Sequence, residues 1–228
     1  MKKKSQHIAI IPARKGSKGL PFKNRMFFDY SADFIDSQMI WDRVIVSSND
    51  EIIKKKVKDK GYEFHSRSEE LSGDTISVKE VFCEVVKDFR LDQEDILWVI
   101  SLPVVYKNPR DFRKAKAIID EGNYRSLCGF ITAKSHPFYC WSFNKKNEIL
   151  TQYIDNDIYR RQDLPPAFTP HNYLQCMKVS ELHKLNSEML NSKTFPYFLD
   201  KETEANLIEI DTPEELEEWK KLTGTKII

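Results

Sequence analysis

The first half of the chain alternates short apolar runs with amphipathic stretches, and that alternation leaves few folds open. "HIAIIPA" (7–13) and "RVIVSS" (43–48) are short, β-branched and bounded by polar residues, the pattern of strands buried on both faces. "NDEIIKKKVKDKG" (49–61) has Asp50 and Glu51 in its first turn, lysines later and Gly61 at its end, which are helix start and stop signals. "YEFH" (62–65) reads as another strand, and "SVKEVFCEVVKDF" (77–89) places Val78, Val81, Phe82, Val85 and Phe89 on one helical face. "DILWVIS" (95–101) is a further strand, and Pro109 opens the helix "PRDFRKAKAIIDEG" (109–122). Repeated strand–helix units predict an α/β fold with a mostly parallel sheet covered on both faces. Ligands bind such sheets at the carboxyl ends of the strands.

The second half departs from this rhythm. "RSLCGFITA" (125–133) and "FYCWSFNKKNEIL" (138–150) read as strands, the second turning through Asn144–Asn147. "DNDIYRRQDLPPAFTPHN" (155–172) is polar, proline-containing and aperiodic, and reads as a long functional loop or arm. "YLQCMK" (173–178), "TFPYFL" (194–199) and "NLIEI" (206–210) supply further strands, and "TPEELEEWKKL" (212–222) a closing helix capped by Thr212. No repeat or interdomain linker interrupts the 228 residues, so one domain over 1–228 is expected.

The first strand runs into "IAIIPARKGSKGLPFKN" (8–24), where Arg14, Lys15, Lys18 and Lys23 surround Gly16 and Gly19. Neither GxGxxG nor GxxxxGK[ST] is present. Two readings stand: a solvated basic turn, or a cradle for a polyphosphate. For the cradle, Gly16 and Gly19 let backbone approach a ligand, and turn amides can face anionic oxygens. Arg14 can fork onto phosphate, Lys23 can add a point charge, and the Asn24 amide suits a base or ribose. Near the other end, Glu209 and Asp211 would share one face of a strand, where two carboxylates can converge on a cation such as Mg2+. The alternative is a solvated strand end.

Charge narrows the partners. Lys and Arg total 36 against 35 Asp and Glu, so the overall charge points neither to nucleic acid nor to an anionic membrane. No apolar stretch approaches the ~18 residues of a spanning helix. The basic start "MKKKSQHIAIIP" has too short an apolar run for a signal peptide. Cys83, Cys128, Cys140 and Cys176 lack metal or redox spacing and read as scattered core thiols, which places the chain in the cytoplasm.

The opening run resembles the motif IPARxGSKxxxxKN of the cytidylyltransferases that make CMP-activated acidic sugars, the CMP-sialic acid synthetases among them. Arg14, Gly16, Ser17, Lys18, Lys23 and Asn24 all match it. The resemblance continues: "WDRVIVSSNDEII" (41–53) looks like that family's second strand and following helix, and "RSEELSGDT" (67–75) resembles its RPxELAxDxA segment. "YRRQDLPPAFTP" (159–170) is similar to its RRQDLPxxYxxN arm, and "IEIDTPEEL" (208–216) to its DIDTxxDL. What this implies is a Rossmann-like nucleotidyltransferase fold with a small β-rich dimerisation arm at roughly 135–172. It further implies a CTP site formed by the opening motif with Arg67 and Asp74, and Mg2+ held by Asp211 and Glu209. The reaction implied is CMP transfer from CTP to an acidic 2-keto sugar, with Arg14, Lys23 and Asp211 central to catalysis. Ser101, Lys134, Arg160, Arg161 and Gln162 would meet the sugar, the arm reaching across a homodimer. Another deoxy-ulosonic acid as acceptor, or a nucleotide-binding homologue without turnover, are the alternatives.

Three departures bear on the acceptor. Where the family has LQPTSPLR, this chain reads "SLPVVYK" (101–107), with Ser101 for glutamine and Lys107 for arginine. "TPHNYLQC" (169–176) has His171 and Asn172 in place of an asparagine–glycine pair, and "NRMFFDYSADFIDSQMIWDRV" (24–44) is short and lacks a GKPL element. His171 reads as structural. The aromatic cluster Phe138, Tyr139, Trp141 and Phe143 reads as core or dimer interface. Lys134 and His136 precede Pro137 in a stretch similar to one that touches substrate across the dimer.

Overall fold

The computed structural model describes residues 4–224. The first three residues of the stretch weighed above as a signal peptide, and residues 225–228 of the expected domain, lie outside the described residues. The β-branched runs form strands β1 (His7–Pro12), β2 (Arg43–Ser48), β3 (Glu63–Ser66) and β4 (Ile96–Val99), parallel to one another in the order β3-β2-β1-β4. β5 (Ser126–Thr132), β8 (Phe168–Lys178) and β9 (Phe195–Phe198) complete a seven-stranded sheet in the order β4-β8-β5-β9. Only β8 runs antiparallel to its neighbours, so the sheet is mostly parallel as expected. β6 (Trp141–Asn144) and β7 (Ile149–Gln152) form a separate hairpin.

Both faces of the sheet are covered, and β1 shows why its sequence is apolar throughout. Ile8 and Ile10 pack on one face with Phe82 and Val85, while Ala9 and Ile11 pack on the other with Phe27, Phe28 and Phe112. Phe82 and Val85 belong to α3 (Val78–Asp88), opened by a reciprocal Ser77–Glu80 cap. Phe112 belongs to α4 (Pro109–Asp120), capped by Asn108. Phe27 and Phe28 lie on α1 (Lys23–Ser37), a helix whose buried positions Phe27, Phe28, Ser31, Ala32 and Ile35 were legible as a period but went unassigned. α2 (Glu51–Lys60) starts on the Asp50 side chain and stops at Gly61, which adopts φ 70°. A short α5 (Lys201–Asn206) precedes the closing α6 (Pro213–Thr223), which Thr212 caps.

Four expectations need correction. "NLIEI" is no sheet strand: its first residue ends α5, and only Glu209 pairs, in one bridge to Val104. The residue before Val104 is Pro103, which has no N–H with which to extend a ladder. The arm ends earlier than residue 172, because β8 already pairs with β5 from Phe168. Its register then jumps: Gly129 lies opposite His171 and Cys128 opposite Gln175, leaving residues 172–174 bulged out of the ladder. Of the two readings of the hairpin aromatics, core or dimer interface, exposures of 54% at Trp141 and 55% at Phe143 remove the first for those residues. Of the cysteines, Cys128 and Cys176 are buried, Cys83 and Cys140 only half-buried, and all four are free.

At the amino end of the sheet His7 is buried, and the Trp98 indole N–H donates to its Nδ1 at 3.0 Å. That bond requires an unprotonated Nδ1, so Nε2 carries the proton and faces Asp120 at 2.8 Å. Burial first, and Lys116 second, hold the His7 pKa below its ordinary 6.5 despite Asp120. His65 and His171 are lowered as well, again chiefly by burial. The unfolded chain therefore binds more protons than the native one below pH 6.5. Stability is expected to be full above that value and to fall as the pH drops below it. Urea midpoints measured from pH 7.5 down to pH 5.5 check this, and a midpoint flat across that range would contradict it.

Candidate active site

The carboxyl ends of β1 and β4 open into a cavity of about 440 Å³. It is lined by Arg14, Lys23, Asn24, Arg67, Asp74, Ser101, Glu209 and Asp211, all singled out from the sequence. The fold gathers them from five places. Arg14 leaves the end of β1, Ser101 follows β4, and Lys23 and Asn24 begin α1. Arg67 and Asp74 flank a 3-10 turn after β3, and Glu209 and Asp211 precede α6. Lys23 and Asp211, 188 residues apart, form an ion pair.

Three of the cations, Arg14, Lys18 and Lys23, are already matched to carboxylates. Asp74 accepts from Arg14 at 2.9 Å and from Lys18 at 2.8 Å, which keeps its pKa below the usual carboxylate value. Arg14 also donates to the carbonyls of Ser72 and Gly73, and its own carbonyl accepts from the Asn24 amide at 2.9 Å. Asn24 is thus spent partly on holding the loop. Arg67 is buried and donates to the Leu71 carbonyl at 2.9 and 2.6 Å. Burial, with Arg14 nearby, lowers its pKa to about 10, so an anion in the cavity would relieve both guanidinium groups.

The two carboxylates meet the opposite stress. Ile210 is fully buried, so Glu209 and Asp211 on either side of it turn to the other face and reach the cavity. Burial, and then the Asp211 charge, push the Glu209 pKa up. A cation beside them would relieve that repulsion. Among the described residues no group of three His, Cys, Asp or Glu converges, so a metal would take two protein oxygens and draw the rest from substrate and water. That donor set fits Mg2+.

Gly19 is needed for a different reason from the one expected. A Cβ there would run into the backbone carbonyl oxygen of Asp211, so the bare glycine lets the opening loop lie on the 209–211 segment. Its close approach is to the protein itself. Gly16 has open space around it, and Ser17 sits beside it on the same loop. Lys134, Arg160, Arg161 and Gln162 are exposed on the arm and do not line the cavity of their own chain. Arg160 instead pairs with Asp163 through two bonds of 2.7 and 3.0 Å.

The far wall was not foreseen. Asn172, in the bulge of β8, lines the cavity together with Glu209. Gln175 is buried and donates to the carbonyls of Glu188 and Met189 at 2.9 and 3.3 Å, holding a turn whose Met189 has φ 57°. Ser187, Glu188 and Met189 complete that wall. His171 stays structural, its Nδ1 accepting from the Tyr173 amide at 3.1 Å.

The model of the cytidylyltransferase family matches residues 8–228. The N-acylneuraminate cytidylyltransferase of Streptococcus agalactiae serotype III (strain NEM316) is 25% identical over 203 residues, 86% of this chain and 48% of its own length. The N-acylneuraminate cytidylyltransferase of Oncorhynchus mykiss is 30% identical over 170 residues, 69% of this chain and 38% of its own. The chain thus spans about half, or less, of the curated relatives it matches. Among solved structures, CMP:2-keto-3-deoxy-manno-octonic acid synthetase complexed with CTP aligns with a TM-score of 0.65 and 16% identity, over 96% of this chain and 99% of that one. The 4-diphosphocytidyl-2C-methyl-D-erythritol synthase of Anaerococcus prevotii DSM 20548 aligns with a TM-score of 0.56 and 13% identity, over 97% and 99%. Those structures share the nucleotidyltransferase fold.

The two glycines of the opening loop should respond differently to a methyl group. Gly19→Ala is expected to lower stability by about 1–3 kcal/mol, the usual range for overpacking against a fixed neighbour. Gly16→Ala, with open space around it, is expected to stay within about 0.5 kcal/mol of the parent. Urea denaturation of both variants checks this. Equal stabilities would mean that the loop does not rest on the 209–211 segment.

Proposed function

Because the chain belongs to the cytidylyltransferase family, we propose that it transfers CMP from CTP to an acidic 2-keto sugar, sialic acid or a related nonulosonic acid, releasing pyrophosphate. The observation that carries this reading is the convergence on one cavity of Arg14 and Lys23 from one end of the chain with Glu209 and Asp211 from the other. The anomeric hydroxyl attacks the α-phosphate in line, the bond to the β-phosphate breaks, and pyrophosphate leaves. Such a transfer asks the protein for position and charge compensation more than for covalent chemistry.

Each residue has a part. Arg14 and Lys18 exchange Asp74 for phosphate oxygens, and Lys23 exchanges Asp211 for another. Arg67 and Asn24 border the nucleoside. Glu209 and Asp211 would hold Mg2+, which when bound neutralises charge on the phosphates. Ser101, short and borne on a loop with Val104 and Val105, leaves more room and fewer hydrogen bonds for the acceptor than a glutamine would. It favours a nonulosonic or deoxy-ulosonic acid whose polar substituents differ from those of N-acetylneuraminic acid.

The same reading includes a homodimer. One face of the β6–β7 hairpin presents Trp141, Phe143 and Leu150, the last 61% exposed, and an isolated two-stranded hairpin is barely stable alone. A second copy is the natural cover for that face. It would also bring Lys134, Arg160, Arg161 and Gln162 to a cavity that their own chain keeps them from, where the arginines suit a sugar carboxylate. CTP as substrate and four free thiols accord with a cytoplasmic setting.

The deciding assay is pyrophosphate release from CTP over a panel of acidic sugars, with and without Mg2+. Asp211→Asn is expected to lower the rate about a hundredfold or more with the circular dichroism spectrum unchanged. Near-normal turnover in that variant would remove the metal assignment. Mixing Asp211→Asn subunits with Arg160→Ala/Arg161→Ala subunits should restore part of the activity, since one intact site forms per mixed dimer. Confirmed mixed dimers without recovery would show that each chain's site is self-contained.

A further inference from the structure

Lys107 is the most costly side chain near the cavity that the proposed chemistry leaves unused. The residue is half-buried, but its amine ends in the interior, where burial alone pushes its pKa down to about 7. Among the described residues no carboxylate pairs with it. Its two partners are neutral: the Val104 carbonyl, and the Ser31 hydroxyl of α1 at 3.1 Å. An amine enclosed without a counter-ion costs stability.

Those two partners lead to the two halves of the cavity. Val104 forms the bridge with Glu209, and the carbonyl of the neighbouring Pro103 accepts from the Ile210 amide at 3.1 Å. The 101–107 loop is therefore the rail on which the carboxylate-bearing segment rests. Ser31 stands two turns along α1 from Lys23 and Asn24, which begin that helix on the cavity. Lys107 lines no part of the cavity itself.

We propose that Lys107 is a positioning residue: its amine clamps the 101–107 loop to α1 and so holds Glu209 and Asp211 in register with Lys23. This rests on the cytidylyl-transfer reading for its effect on turnover, but the clamp itself is a property of the chain. Both acceptors are neutral, so the clamp brings no further negative charge near the Glu209–Asp211 pair.

The test uses the full chain, with Lys107→Met, apolar and of similar length, beside Lys107→Arg, which keeps donors for both acceptors. In the methionine variant the thermal midpoint should hold or rise, since a desolvated amine is lost. Amide hydrogen exchange should nonetheless quicken over 100–106 and 207–212. The Mg2+ concentration that half-saturates pyrophosphate release should rise about tenfold, the scale seen when an outer partner of a metal ligand is removed. Lys107→Arg should bring both readouts back toward the parent. Unchanged exchange at 207–212, or an unchanged Mg2+ requirement in an active Lys107→Met enzyme, would overturn the clamp. So would a lowered midpoint with exchange quickened evenly across the molecule, which would make Lys107 a general stabiliser. A parent protein that releases no pyrophosphate with any acidic sugar would instead sink the transfer reading, and exchange at 207–212 would still decide for or against the clamp.

Discussion

The site depends on how one short extended segment is seated. Ile210 is fully buried, and its amide is tied to the Pro103 carbonyl. Extended backbone sends successive side chains to opposite faces, so burying Ile210 obliges Glu209 and Asp211 to face the cavity together. The isoleucine supplies hydrophobic burial that two neighbouring carboxylates could not supply for themselves. From the other side, the bare Cα of Gly19 lets the opening loop settle on the Asp211 carbonyl. A single apolar anchor and a single missing methyl group therefore bring Lys23 to Asp211 across 188 residues of sequence.

Charge in the cavity is arranged for exchange. The molecule as a whole is nearly neutral, at +1, so it exerts no long-range pull on a triphosphate. What it offers is local: Arg14 and Lys18 share Asp74, and Lys23 holds Asp211. Asp74 and Asp211 are each about half exposed, and pairs of that kind are individually weak. Pairs this weak cost little to give up to a ligand of several negative charges, and they tie the opening loop to its neighbours. Arg67 differs, because it is buried and has only a carbonyl for a partner. It supplies a standing demand for an acceptor at the cavity wall.

How much of this was legible follows the range of the interactions. The parallel strands, and the helices opened by Asp50, Pro109 and Thr212, could be read because burial period and caps are local. The opening motif and the Glu209–Asp211 pair were equally local: Arg14, Lys23, Asn24, Glu209 and Asp211 line the cavity at the carboxyl ends of β1 and β4, whereas Gly16, Ser17 and Lys18 of the same motif do not line it. What escaped depends on partners distant in sequence. Nothing near residue 206 announces that Pro103 will deny "NLIEI" a ladder. Nothing in "TPHNYLQC" tells that Gly129 will slip the register and turn Asn172 toward the cavity. The turn at Ser187–Met189 reaches the site only because the buried Gln175 holds its carbonyls.

That slip in β8 also connects the cavity to the arm. Residues Gln175–Met177 pair with both β4 and β5, deep in the sheet, whereas Phe168–His171 pair with β5 alone. The strand thus leaves the core as an edge, carrying the arm outward from the point where Asn172 enters the cavity. Gly129 permits the jump, since the Leu174 carbonyl lies 3.3 Å from where its Cβ would be. The residues that leave the ladder at that point, 172–174, include the Asn172 that lines the cavity, so the same irregularity that frees the outer part of β8 also builds the far wall of the site.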